Sequence, residues 1–246
     1  MSDALVQRFR AARRDRGLAV LEGFHALKHA LRFGAEVIEA VASDPEELER
    51  LAAELAPDLE GLLAGRVEPV SAEELERMVP HAPRTGAVAI ARRPPVDVAA
   101  VLAGERPAPV VLLEDPRTMG NMGACVRVAA AADAAAVLTT GSNDPWHPEA
   151  LRGAAGLHFA LPVAAVEALP GADRPLVAID PDGEDADLRD LSPRSILAFG
   201  TERYGLSDEL LDRADARLAI PMREGVSSLN LATAVAAVLF ARRLLR

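Results

Sequence analysis

The chain has one cysteine, one lysine, one tryptophan and one tyrosine in 246 residues. A lone Cys125 excludes an internal disulfide framework and a paired-cysteine zinc site. A single lysine, Lys28, outside any Gly-rich loop excludes a Walker phosphate loop and most Schiff-base chemistry. Gly-x-Ser-x-Gly and His-Glu-x-x-His are absent too, so neither a hydrolase elbow nor a zincin site is expected. His25 and His29 stand one helical turn apart, but no third ligand is in view, and we expect no metal. The longest apolar run, Ala234 to Ala241, is eight residues, against about 20 for a bilayer span. Met1-Ser2-Asp3-Ala4 lacks the charged-then-apolar pattern of a signal peptide, so the expected location is cytoplasmic, without membrane contact.

Half of the residues are apolar, enough for a substantial core in one large or two small domains. The formal net charge of −10 disfavours nucleic acid as a ligand, because phosphate contacts need Lys and Arg. The distribution is uneven, however. Residues 1–33 carry seven basic side chains (Arg8, Arg10, Arg13, Arg14, Arg16, Lys28 and Arg32) against three acidic ones. Such a run is either a solvated helix face or a basic arm that contacts RNA.

Residues 1–93 alternate helical and strand patterns: a basic helix to about Arg16, strand 18–21, helix 23–33, strand 37–41, helix 45–55, then strand, helix and strand again. Pro45 after Ser43 and Asp44 marks one helix start, and Ser71 with Glu74 makes a capping box for another. Arg92-Arg93-Pro94-Pro95 and Pro107-Ala108-Pro109 bracket a stretch without clear period, so 94–106 is expected to be a linker. Residues 107–246 read as strands 109–114, 136–140, 158–163, 175–179, 195–200 and 217–221, with helices 121–132, 147–155, 207–213 and 228–245. Continuous apolar strands such as Val110 to Leu113 alternating with helices indicate a parallel sheet covered on both faces, an α/β architecture. The last helix is apolar nearly all round, which suggests burial that includes a dimer interface.

Two strand-to-helix loops stand out, because ligands in such sheets sit beyond the carboxyl ends of strands. One runs from Asp115 through Gly120-Asn121-Met122-Gly123 into a helix carrying Arg127; the other runs from Ile220 to Asn230. The first lacks Gly-x-Gly-x-x-Gly spacing, which tells against a nicotinamide-binding Rossmann enzyme. Asn121 with Arg127, then Gly200-Thr201-Glu202-Arg203-Tyr204-Gly205-Leu206-Ser207, then Ile220-Pro221-Met222 leading to Ser228-Leu229-Asn230, resemble in order and spacing the three motifs of the SpoU/TrmH family of RNA ribose methyltransferases. Pro148 to Gly156 with Leu161-Pro162-Val163 is similar to that family's middle segment. Leu21 to Leu27 and Arg84 to Ala89 resemble the substrate-binding domain often fused to it.

The resemblance implies a SPOUT-type, trefoil-knotted, parallel-sheet catalytic domain over 107–246, preceded by a small α/β RNA-binding domain over 1–93. It further implies a homodimer that binds S-adenosylmethionine in the knot and methylates a ribose 2′-hydroxyl of ribosomal or transfer RNA. The matching catalytic positions are Asn121, Arg127, Glu202, Ser228 and Asn230. The implied cofactor positions are Thr140, Phe199, Gly200, Thr201, Gly205, Ile220, Met222, Ser228, Leu229 and Asn230. RNA contacts are expected from Arg8, Arg10, Arg13, Arg14, Lys28, Arg84 and Arg152. A guanidinium rarely loses its proton, so Arg127 is read as a clamp or electrostatic activator rather than a base. Two departures stand out: Met119 occupies a position where the family more often has proline, and Thr201 one where asparagine is common. The alternative is a non-catalytic RNA-binding homologue of the same fold.

Overall fold

The structure, a computed structural model, describes residues 2–59, 61, 63, 65–185, 191–201 and 204–244. In chain order its elements are α1 (Ser2–Ala12), β1 (Leu18–Glu22), α2 (Phe24–Arg32), β2 (Val37–Ala42), α3 (Pro45–Leu55), β3 (Val67–Pro69), α4 (Ala72–Met78), β4 (Ala87–Arg92) and α5 (Val98–Ala103). There follow β5 (Val110–Leu113), α6 (Met119–Ala131), β6 (Ala136–Thr139), α7 (Pro148–Gly153), β7 (Val163–Ala165), β8 (Leu176–Asp185), β9 (Ile196–Phe199), α8 (Asp208–Arg213), β10 (Ala216–Ala219) and α9 (Leu231–Leu244). They form two compact units: Met1–Pro95 with Trp146–Ala160, and Val96–Pro145 with Leu161–Arg246. No described helix is long and apolar enough to cross a membrane.

The first unit is built on a four-stranded sheet in the order β1-β4-β2-β3, in which β4 runs antiparallel to both neighbours and β2 parallel to β3. Leu5, Val6, Phe9 and Ala12 recur at helical spacing and bury one face of α1 in the core with Met78 of α4 and Val20, Val41 and Val88 of the sheet. The start of the basic N-terminal segment is therefore a packed helix on which Arg8 and Arg10 are exposed, rather than a free arm. Asp44 caps α3 by accepting from Glu47 N at 2.9 Å. Ser71 and Glu74 form the reciprocal capping box of α4, at 3.1 and 2.9 Å.

Residues 146–160 belong to this unit although they lie between two strands of the other sheet. Trp146 is buried against His158 and Phe159, and His147 caps α7 through Nδ1, which accepts from Glu149 N at 3.2 Å. His29 Nδ1 donates to Ala155 O at 2.6 Å, and burial holds this imidazole below its ordinary pKa. Gly156 (φ 76°) lies so close to α2 that a Cβ there would fall 2.5 Å from Ala26 O. The strand expected over 158–163 is instead a 3-10 turn, Leu157–Phe159, followed by the short β7. An apolar run of that length fits a buried turn as well as a strand.

The second unit holds a six-stranded, wholly parallel sheet in the order β10-β8-β9-β5-β6-β7. Val110, Leu112, Leu138 and Ala198 join a cluster with Leu102 of α5 and Leu210 of α8. Val111 and Leu113, which alternate to the other face, are equally buried. On α6, Met122, Cys125, Val126 and Ala129 are buried, and this helix packs against α9. The stretch 94–106 is not structureless: Asp97 caps α5 by accepting from Ala100 N at 2.9 Å. The buried Arg174 guanidinium donates to the carbonyls of Leu102 (2.8 Å), Gly104 (2.7 Å), Val101 (3.2 Å), Ala108 (3.1 Å) and Arg194 (3.2 Å). The end of α5 is thereby tied to the sheet.

Candidate functional site

The site assembles where the parallel strands β9 and β10 end, beside the middle of β8. After β9, Gly200 leads into a tight loop in which Thr201 N donates to Gly205 O and Gly205 N to Thr201 O, both at 3.0 Å. Thr201 Oγ1 also accepts from Tyr204 N at 3.0 Å. Gly200 is obligatory here, because a Cβ would fall 2.0 Å from the Gly205 carbonyl carbon, and Gly205 itself has φ 66°. After β10, the loop from Ile220 turns at Gly225 (φ 85°), where Val226 N donates to Arg223 O at 3.0 Å. It enters α9 at Asn230, whose Oδ1 accepts from Ala232 N (3.0 Å) and Thr233 N (3.3 Å). Asn230 is thus the helix cap, and α9 begins at Leu231 rather than at 228.

Between these loops and the Ile179-Asp180-Pro181 segment of β8 lies a cavity of about 310 Å³. Its walls are largely apolar, from Ile179, Phe199, Ile220, Met222, Leu229 and Leu231, with hydroxyls from Thr201, Ser227 and Ser228 and one described carboxylate, Asp180. A mostly apolar cleft of this size with a few convergent polar groups suits a cofactor-sized ligand. Arg217 on β10 pairs with Asp180, with Nε and Nη2 at 3.0 and 2.6 Å from Oδ1, and this contact raises the guanidinium pKa above its ordinary value.

Of the expected cofactor positions, Phe199, Gly200, Thr201, Gly205, Ile220, Met222, Ser228 and Leu229 line the cavity; Thr140 and Asn230 do not. Thr140 Oγ1 instead accepts from Asp115 N at 3.1 Å, which shapes the loop between β5 and α6. Asn121, in the first turn of α6, meets the cap of α9: Asn230 Nδ2 donates to Asn121 Oδ1 at 3.1 Å. Two of the expected catalytic positions are therefore in contact across 109 residues of sequence. Arg127 is exposed on α6, does not line the cavity and makes no ion pair with a described residue. Glu202 lies outside the described residues.

Sequence reasoning missed Asp180 and Glu114. The Glu114 carboxylate, just past β5, accepts from Ser207 N (2.7 Å) and Ser207 Oγ (2.6 Å), and Ser207 Oγ in turn caps α8 by accepting from Leu210 N at 3.3 Å. Glu114 so fixes the far end of the loop that begins at Gly200. The Asp180-Pro181-Asp182-Gly183 break inside an apolar strand is the one local signal for Asp180.

In the first unit several of the expected RNA-contacting residues are engaged by neighbours. Arg8 pairs with Glu39 through Nε at 3.0 Å, and the buried Glu22 pairs with both Arg13 and Arg152, the latter at 2.9 Å. Lys28 sits over the Phe24 ring at 5.9 Å. Arg14 and Arg84 are exposed, and Arg10, Arg13 and Arg14 line one groove with Arg77. Among the described residues no three His, Cys, Asp or Glu side chains are placed to hold a metal.

Residues 108–240 match the model of the SpoU rRNA Methylase family. An uncharacterized tRNA/rRNA methyltransferase of Mycobacterium bovis is 33% identical over 213 residues, covering 79% of this chain and 71% of that protein. The 23S rRNA (adenosine(1067)-2′-O)-methyltransferase of Streptomyces azureus is 27% identical over 259 residues, covering 98% and 93%. Among solved structures, the AdoMet-bound rRNA methyltransferase of Sinorhizobium meliloti matches with a TM-score of 0.78 and 27% identity, over 100% of this chain and 97% of that one. The SpoU methyltransferase AviRb from Streptomyces viridochromogenes in complex with AdoMet also gives 0.78, at 26% identity over 98% and 97%.

Proposed function

The chain belongs to the SpoU rRNA methylase family, and we propose that it transfers a methyl group from S-adenosylmethionine to a ribose 2′-hydroxyl of structured RNA, ribosomal or transfer. The observation that carries this reading is the cavity of about 310 Å³ at the ends of β9 and β10 and beside the Ile179-Asp180-Pro181 segment of β8, lined by residues of the second and third family motifs. Its apolar walls suit a purine and a thioether chain, while the backbone of the Gly200 to Gly205 loop and the Ser228 hydroxyl offer polar partners at close range. When bound there, the cofactor supplies an electrophilic methyl group and needs no metal.

The protein's share is to present the ribose hydroxyl and to favour loss of its proton. Arg127 has a planar, permanently charged fork, suited to gripping an RNA phosphate and stabilising alkoxide character on the attacking oxygen. The Asn121–Asn230 contact holds the start of α6 against the start of α9, one helix carrying Arg127 and the other following the cavity loop. Glu202 is read as an orienting acceptor for Arg127 or a helper base.

Finer readings belong to the same proposal. Residues 1–93 act as the RNA-binding domain, supported by the exposed Arg14 and Arg84 and the four-arginine groove, and 107–246 as the catalytic domain. The C-terminal segment forms the family's trefoil knot; α9, which follows the edge strand β10, packs against α6. The active form is a homodimer joined partly through α9, where Phe240 and Leu244 stay 36% and 81% exposed. A monomer by sedimentation at micromolar concentration would overturn the dimer. For the function, the test is to map ribose methylation in ribosomal and transfer RNA from cells with and without this protein. Loss of a defined 2′-O-methyl mark, restored by purified protein with S-adenosylmethionine, is expected; an unchanged map would refute it.

A further inference from the structure

Asp180 forms part of the cavity wall, yet the methyl-transfer reading gives it no task. It is only 8% exposed, and its two oxygens are unequal. Oδ1 accepts from Arg217 Nε (3.0 Å), Arg217 Nη2 (2.6 Å) and Asp182 N (2.9 Å). Oδ2 faces Gly205, where a Cβ would lie 3.8 Å from it, and no described residue donates to it. A carboxylate oxygen that opens onto a ligand-sized cavity, with its other oxygen already held, presents an acceptor to a ligand donor.

We propose that Asp180 is a cofactor-binding residue whose Oδ2 accepts a hydrogen bond from a ribose hydroxyl of S-adenosylmethionine. This rests on the reading that the cavity holds that cofactor. The cofactor offers three kinds of donor. Its ammonium would place a second cation across one carboxylate from the Arg217 guanidinium, in a partly buried site where like charges are poorly screened. The adenine amine is flanked on the ring edge by N1 and N7 lone pairs, which would face an ionised oxygen. A ribose hydroxyl is neutral, rotates to suit its acceptor and leaves the adenine faces to the apolar walls. The orientation of the carboxylate is set from outside the cavity by two guanidinium contacts on the other oxygen. Gly205 leaves the approach to Oδ2 open.

Calorimetry on the full chain separates this from its alternatives, with S-adenosylhomocysteine and its 2′-deoxy and 3′-deoxy analogues as probes. The unaltered protein should bind S-adenosylhomocysteine about tenfold or more tightly than at least one deoxy analogue, the worth of a hydrogen bond to a charged group. In Asp180→Ala that preference should fall to near unity, with binding of the parent compound weakened by a similar factor. Arg217→Gln, which keeps the carboxylate, should retain the preference. Equal binding of all three ligands by the unaltered protein overturns the proposal without any variant, as does a folded Asp180→Ala or Asp180→Ser protein that still discriminates. No binding of S-adenosylhomocysteine or S-adenosylmethionine to the unaltered protein refutes the cofactor reading instead.

Discussion

At the scale of single residues, chemistry is legible where a side chain type is scarce for a reason and illegible where its partner is remote. Gly200, Gly205 and the Ser228-Leu229-Asn230 run announce a ligand loop because small and polar residues replace a strand's apolar ones. Glu114 and Ser207 give no such signal, since a carboxylate after a strand and a serine before a helix are ordinary, and only folding joins them across 93 positions. Resemblance places Thr140 at the cofactor, yet its hydroxyl is engaged by Asp115 N. Arg127 bears the sharpest expectation. If its role is a planar clamp, Arg127→Lys keeps the charge and loses the fork, so methyl transfer should fall by about a hundredfold or more in both Arg127→Lys and Arg127→Ala. S-adenosylmethionine affinity should stay within about twofold, because the side chain does not line the cavity. Single-turnover methylation beside calorimetry reads both, and a fully active lysine variant would show that charge alone suffices.

At the scale of elements, most helices and strands follow from period and caps, but three local patterns mislead. The apolar stretch after Gly156 is a turn and a three-residue strand, since periodicity over so few residues does not separate the two. The final helix starts three residues late because Asn230, not Ser228, supplies the cap. The proline-flanked stretch 94–106 hides a six-residue helix too short to stand alone, and tertiary contacts hold it: Leu102 enters the core and Arg174 gathers carbonyls at its end. A buried guanidinium with five carbonyl acceptors is unusual as mere surface charge, and its removal strands acceptors already withdrawn from water. Arg174→Met should therefore cost about 3 kcal/mol or more of stability by urea denaturation, against well under about 1 kcal/mol for the exposed Arg14→Met. A loss under about 1 kcal/mol would mean that the segment is held by Leu102 alone.

At the scale of the whole molecule, a net charge of −10 has to coexist with a polyanionic substrate. Composition argues against RNA binding, and position argues for it: the first 33 residues carry seven basic side chains against three acidic ones. Several basic side chains of the first unit are already committed to its acids, Arg8 to Glu39 and both Arg13 and Arg152 to Glu22, so they contribute less to attracting phosphate than a count suggests. What remains for RNA is a short roster in which Arg14 and Arg84 stand out. Deleting the N-terminal residues would not test this, because Phe9 and Val6 are core residues and removing them would unfold the unit. Charge reversal does test it. Arg14→Glu with Arg84→Glu should weaken RNA binding several-fold at about 0.1 M salt and lower the slope of log affinity against log salt by about one unit for each phosphate no longer neutralised. S-adenosylmethionine binding should be unaltered, since neither residue belongs to the unit that holds the cavity. Filter binding across a salt series measures the slope directly. If both affinity and slope are unchanged, Arg14 and Arg84 are solvated surface and the RNA is gripped elsewhere.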